Sequence, residues 1–178
     1  MAKRPLRLLL VDGYNVLRSG SRYKNIEMPD YTDDYFNRAR DQLINDVIGF
    51  AGRDMQAVIV FDGGDNMFST GEMEKIGEVR IVFSPAGQSA DKVIEKLAHD
   101  AKARGMEALV VTSDASIQDT VFGGGVDRMS AEEFCRAMRR YDREVVLDKS
   151  PEVAIKNTIS ERIDAKTLAK LKALRDQR

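Results

Sequence analysis

The sequence predicts an α/β protein: a three-layer α/β/α arrangement around a central, mainly parallel sheet, followed by a helical tail. Three observations lead there. Leu8–Val11, Ala57–Phe61, Val79–Phe83 and Ala108–Val111 are short apolar runs of the kind found in strands buried on both faces. Between them lie stretches whose apolar residues recur at helical spacing. Gly-containing turns separate the two kinds of segment. Strands alternating with helices make a parallel sheet covered on both faces. Right-handed crossovers then favour the strand order 3-2-1-4-5, with the switch point between the first and fourth strands.

Each element has its own signal. The first strand stops at Asp12-Gly13. Tyr35, Phe36, Ala39, Leu43, Val47 and Phe50 form one helical stripe, with Gly49 and Gly52 marking its end. The second strand ends at Asp62-Gly63-Gly64, and the polar stretch after it, to Gly77, reads as a mobile loop. After the third strand, Ser84–Ser89 is a loop. Val93, Ile94, Leu97, Ala98 and Ala101 form the next helical face, closed by Gly105. The fourth strand leads into Thr112-Ser113-Asp114 and a short helix over Ala115–Phe122, stopped by Gly123, Gly124 and Gly125. Val126–Met129 is a short fifth strand. Ser130 and Glu133 have capping-box spacing, and Ala131, Phe134, Cys135 and Met138 form the apolar face of the helix they open. The pattern weakens beyond Val145–Leu147. The domain is expected over residues 1–150, with 151–178 as a helical extension that packs on it or projects from it.

Composition removes several classes. The chain has 178 residues, 43% of them hydrophobic and 32% charged, enough for one domain with a substantial core. A net charge of -1 gives no global field for nucleic acid, so any such contact must be local. The single cysteine, Cys135, excludes an internal disulfide framework and a cysteine-based zinc site. Cys135 reads as core and His99, the one histidine, as a surface or half-buried helix residue. Leu6–Val11 is too short for a signal-peptide core or a membrane span, so a cytoplasmic, membrane-free protein is expected. No Walker motif and no G-x-G-x-x-G after the first strand calls for a nucleotide or other organic cofactor.

Acids gather where such sheets bind ligands, beyond the carboxyl ends of the strands. Asp12 ends the first strand and Asp114 follows the fourth, so the predicted order makes them neighbours. Asp91 lies in the first turn after the third strand, Asp119 just after Asp114, and Asp62 ends the second strand. Singly, each is an ordinary cap or turn former. Together they repel: two carboxylates about 4 Å apart cost roughly 4 kcal/mol at an effective dielectric of 20. A hard divalent cation with oxygen ligands, Mg²⁺ or Mn²⁺, is the natural neutraliser. Carboxylate-held metals at a strand-end crevice suit phosphoryl-ester chemistry. Asn15 would orient a water or phosphate, or simply cap a turn.

V-D-G-Y-N-V-L (Val11–Leu17), V-F-D-G-G (Val60–Gly64), S-A-D-K-V-I (Ser89–Ile94) and V-T-S-D-A-S-I-Q-D (Val111–Asp119) occur in order. In these motifs the chain resembles the YacP-like branch of the NYN domain proteins, within the wider PIN-like nuclease superfamily. The resemblance runs roughly from Leu6 to Arg140. It implies a PIN-like, Rossmann-like fold and metal-dependent endoribonuclease activity leaving 5′-phosphate and 3′-hydroxyl ends. Carried over by motif, Asp12, Asp91, Asp114 and Asp119 form the metal-binding, catalytic set, with Asn15 as the motif's amide. Many PIN nucleases add a helix glutamate, to which no residue is assigned here, so the number of metals stays open. Bacterial relatives are associated with mRNA decay, and the resemblance raises the ribosome as a partner to be tested.

RNA contacts are expected from Arg18, Arg22 and Lys24, with Tyr23 among them to stack a base; the alternative is a solvated loop. Lys166, Lys170, Lys172, Arg175 and Arg178 make the tail basic, for RNA, for a ribosomal surface or for solubility. Two other classes compete. One is a catalytically weak RNA- or ribosome-binding module, for which a repulsive acid cluster has no use. The other is a haloacid-dehalogenase-type phosphatase, which needs D-x-D where this chain has Asp12, Gly13 and Tyr14.

Overall fold

The computed structural model describes residues 7–24, 33–64, 71, 73–115, 117 and 125–149. Its centre is β1 (Arg7–Asp12), five of whose six residues are buried. β2 (Met55–Phe61) runs parallel on one side, with Asp12 opposite Val60, and β5 (Glu107–Val111) parallel on the other. β4 (Val79–Phe83) continues the sheet beyond β2, and β6 (Val126–Met129) continues it beyond β5, both parallel. These five strands stand in the order the sequence predicts. A sixth, β3 (Met73–Ile76), adds antiparallel to the outer edge of β4. The stretch expected as a loop up to Gly77 is therefore partly strand. Its M-E-K-I side chains are mostly exposed, and the charges on this edge discourage pairing with another chain.

Period-two alternation divides each central strand between two cores. Leu9, Val11, Ile59, Phe61 and Ile81 face α1 (Gly13–Ser19), α3 (Asp33–Ala51) and the start of α5 (Ala131–Lys149). Leu8, Leu10, Val58, Val60, Val82 and Val110 face α4 (Ala90–Ala103), through Ile94, Ala98 and Ala101. The strands thus read as continuous apolar runs because neither face meets water. Helices on both sides make the three layers.

The helix ends follow their chemistry. α3 passes through Gly49 without a break and stops before Gly52, whose φ of +53° is costly for residues with a Cβ. The expectation that Gly49 helps end this helix is corrected: a single glycine weakens a helix interior without breaking it. Ser130 opens α5 as expected: its Oγ accepts from the Glu133 amide at 3.2 Å while Glu133 accepts from the Ser130 amide at 2.7 Å. Cys135 is fully buried and His99 is exposed.

Two compact units are distinguished, Met1–Met138 and Arg139–Arg178, the second described only as the last part of α5, through Lys149. The expected helix over Ala115–Phe122 lies mostly outside the described residues, as do Gly123, Gly124 and the 151–178 extension with its basic residues.

A short helix, α2 (Ser21–Lys24), is pinned to α3 by one acid. Asp46 accepts from Arg22 Nε at 2.7 Å and Nη2 at 2.9 Å, and from the Tyr23 hydroxyl at 2.8 Å. Tyr23 is buried, and burial, with Asp46 beside it, drives its hydroxyl well above the ordinary tyrosine range, so it stays a donor.

Candidate active site

β1 is the most enclosed strand, and its last residue cannot leave the crevice between β2 and β5. Asp12 is only 7% exposed. α1 begins at the next residue, which makes Asp12 its N-cap: Oδ1 accepts from the Asn15 amide at 3.2 Å. Oδ2 accepts from the Thr112 hydroxyl at 3.4 Å. Thr112 is fully buried just past β5, and its Oγ1 also accepts from the Asp114 amide at 3.1 Å. One hydroxyl thus fixes the Asp12 carboxylate and the turn that carries Asp114. Asn15 closes the same turn from the other side, its Oδ1 accepting from the Ser113 amide at 2.7 Å. Ser113 in turn accepts from the Ala131 amide at 3.1 Å, tying this loop to the start of α5.

The opposite wall comes from β2, β4 and α4. Asp62 follows β2 and accepts from the Gly64 amide at 2.8 Å, an Asx turn that needs the positive φ of Gly64. Buried Ser84 holds this turn by accepting from the Gly63 amide at 2.8 Å. Ser89 caps α4, which puts Asp91 in the first turn. The walls enclose a cleft of about 560 Å³ lined by Asp12, Tyr14, Asn15, Arg18, Ser19, Asp62, Gly63, Gly64, Ala90, Asp91 and Asp114.

The acids feel one another. Burial, then the charges of Asp91 and Asp114, push the Asp12 carboxyl up to about 6, against the hydrogen bonds from Asn15 and Thr112. Burial, then Asp114 and Asp62, raise Asp91 as well. Such upward shifts mark a place that favours added positive charge. The metal-donor atoms on offer are carboxylate oxygens, the chemistry of Mg²⁺ and Mn²⁺. Among the described residues, however, no three acids close on a common point as a finished metal cage would. Asp119, the remaining acid of the motif, lies outside those residues.

Of the residues singled out in the sequence, Asp12, Asn15, Arg18, Asp62, Asp91 and Asp114 therefore share one cleft. Arg22 and Tyr23 do not. Their expected contact with RNA is corrected: Asp46 binds the guanidinium, and the Tyr23 ring is buried in the core. Lys24 is exposed but does not line the cleft. Sequence reasoning overlooked Thr112, Ser84 and Tyr14. The faint signal for the first two was a hydroxyl directly after an apolar strand, where a buried polar side chain needs partners.

The Asp12 carboxyl makes stability depend on pH. Unfolded, an aspartate releases its proton near pH 4. Folded, Asp12 holds it up to about pH 6, so the folded state binds more protons between those values. This contribution is at its best below about pH 4, and about 3 kcal/mol is lost as pH rises through about 6. In EDTA, Asp12→Asn should therefore be more stable than wild type near pH 8, by up to about 3 kcal/mol, and equal to it near pH 4. Asparagine keeps the helix cap. Urea unfolding at both pH values is the measurement; an Asn variant destabilised at both would show that Asp12 serves only as a cap.

The chain is similar to known proteins over most of its length. The family model described as the YacP-like NYN domain matches residues 9–176. The uncharacterized protein YacP of Bacillus subtilis (strain 168) is 30% identical over 160 residues, covering 88% of this chain and 91% of that protein. A crystal structure of Rae1 (YacP) from Bacillus subtilis has a TM-score of 0.60 at 26% identity, covering 95% of this chain and 91% of that one. A mutant form of it also gives 0.60, at 29% identity over 78% of this chain and 77% of that one. The chain belongs to the YacP-like NYN domain family, a family of PIN-like nucleases.

Proposed function

We propose that this protein is a divalent-metal-dependent endoribonuclease that hydrolyses RNA phosphodiester bonds. The observation that carries the reading is a cleft where burial and neighbouring acids raise two carboxyls, Asp12 beside Asp91 and Asp114, and Asp91 beside Asp114 and Asp62. An acid cluster of this kind destabilises the metal-free protein, and a cation reverses that cost.

Asp12, Asp91 and Asp114 would hold Mg²⁺ or Mn²⁺, with Asp119 joining them by motif and Asp62 as an accessory acid. Bound there, the ion supplies activation of a water and neutralisation of charge on the phosphoryl and leaving oxygens. The chain's own groups do the rest. Thr112 keeps the Asp12 carboxylate from rotating. Asn15 has its carbonyl oxygen engaged by Ser113, so its amide nitrogen is the end that donates to a phosphate oxygen. Arg18, exposed on the cleft wall, takes a flanking phosphate. Cleavage leaves 5′-phosphate and 3′-hydroxyl ends. Cytoplasmic mRNA, met on the ribosome, is the substrate this reading favours, and the basic 151–178 extension is the segment proposed to meet RNA or the ribosomal surface. Among the described residues no helix is long and apolar enough to cross a membrane.

A catalytically weak RNA-binding module is the second reading. A buried Asp12 with repelling acids beside it counts against it, since binding a polyanion gains nothing from them.

Cleavage decides between the two. Labelled RNA should be cut with Mn²⁺ or Mg²⁺ and left intact in EDTA. Asp12→Asn and Asp91→Asn should each reduce the rate on the order of 100-fold while circular dichroism stays native. Intact RNA under every metal condition would leave the binding module as the better reading.

The corrected roles of the basic residues give a second test. Arg18→Gln should weaken RNA binding and reduce the salt slope for single strands by about 0.7. Arg22→Gln should leave that slope alone and lower stability by about 3 kcal/mol, because Asp46 would lose its buried partner. Equal effects of both variants on the slope would restore Arg22 to the RNA contact and remove its purely structural role.

A further inference from the structure

Among the described residues one aromatic ring reaches the cleft, and the structure explains why it stands there. Gly13 packs so tightly on Phe61 that a Cβ would come within 2.4 Å of that ring. This lets the first turn of α1 settle directly on Phe61, which is fully buried. Phe61 stacks on Phe83 with ring centres 5.5 Å apart and planes at 25°. Tyr14 meets Phe61 edge-on, at 5.2 Å and 73°. The Arg40 guanidinium lies 5.7 Å from the Phe61 centre and 5.5 Å from the Phe83 centre. Tyr14 is thus the half-exposed end of a row of three rings, the other two set in the domain. A ring so supported loses little conformational freedom when something packs on it.

Its neighbourhood is unlike an ordinary surface aromatic's. Tyr14 lines the same cleft as Asp12, Asp91 and Asp114. Arg18, one helical turn on, carries its guanidinium 5.8 Å from the Tyr14 ring centre. A flat apolar surface, a cation beside it and acids suited to a metal are together the complement of a nucleotide: base, flanking phosphate, reacting phosphate.

We propose that Tyr14 is the stacking surface for one nucleobase next to the bond that is cut, with Arg18 on the adjoining phosphate. This rests on the ribonuclease reading of the cleft and names a subsite within it. The base must leave any helical stack to reach the ring. Stacking accepts every base, so the subsite demands an unpaired nucleotide without demanding a sequence. The role given to Tyr23 by the sequence therefore passes to Tyr14, the aromatic that lines the cleft among the described residues.

The test is a double-mutant cycle between the ring and the base. Binding of a short single-stranded RNA is measured in EDTA for wild type, Tyr14→Phe and Tyr14→Leu, with an abasic residue at each RNA position in turn. At one position loss of the base should weaken wild-type and Tyr14→Phe binding about tenfold and leave Tyr14→Leu binding unchanged. Coupling of that size at no position overturns the proposal. Should Tyr14→Leu not fold, as judged by its melt, the wild type alone suffices: 2-aminopurine at the subsite position should be quenched on binding, and unquenched probes at every position overturn the proposal. RNA cut by the wild type without any Tyr14 coupling sinks the subsite and leaves the nuclease reading standing. RNA neither bound nor cut sinks both.

Discussion

A carboxylate taken almost out of water at the end of a central parallel strand carries a free-energy cost, and much of this site is arranged around that cost. β1 has a strand on each side and a helical layer on each face, so Asp12 has nowhere to go but the crevice. The Asn15 amide and the Thr112 hydroxyl offset part of its lost hydration, yet its carboxyl remains raised to about 6. Local hydrogen bonds hold the side chain in place without satisfying it, a combination suited to binding a cation.

The same constraint links fold to chemistry. The strand order puts β1 beside β2 and β5, so the residues after three strand ends and the first turn of α4 meet at one edge. The turn after β5 is tied to α1 through Asn15 and to α5 through Ser113. Buried Ser84 performs the same service for the turn carrying Asp62. The acids therefore sit on braced turns, and electrostatic preorganisation requires this: charges that repel must not relax apart before substrate arrives.

Much of this was legible because the strong signals were local. A run such as L-L-L-V followed by Asp12 states both a buried strand and its end. Four such statements and a weaker one at Val126–Met129, with helical patterns between them, leave few topologies, and the predicted strand order holds. The edge strand Met73–Ile76 escaped because an edge exposes its side chains and so writes no apolar run. Long-range partners were invisible. S-R-Y-K reads as a basic, aromatic loop until Asp46, 23 residues beyond Tyr23, is known to meet it. Thr112 reads as an ordinary residue after a strand until Asp12, 100 residues earlier, lies beside it. The site was legible as a list of acids and not as a geometry, since which acid is buried depends on neighbours remote in the chain.

The central claim is that Asp12 stands where it does to bind a divalent cation. Thermal melts of wild type and Asp12→Asn, each in EDTA and in saturating Mn²⁺ at constant ionic strength, test it without any substrate. A cation bound to the folded state alone stabilises it by roughly 2.7 kcal/mol at a hundredfold excess over its dissociation constant. The account predicts that Mn²⁺ raises the wild-type melting temperature and that Asp12→Asn loses most of this gain. An Asn variant that responds to Mn²⁺ as fully as the wild type would contradict it.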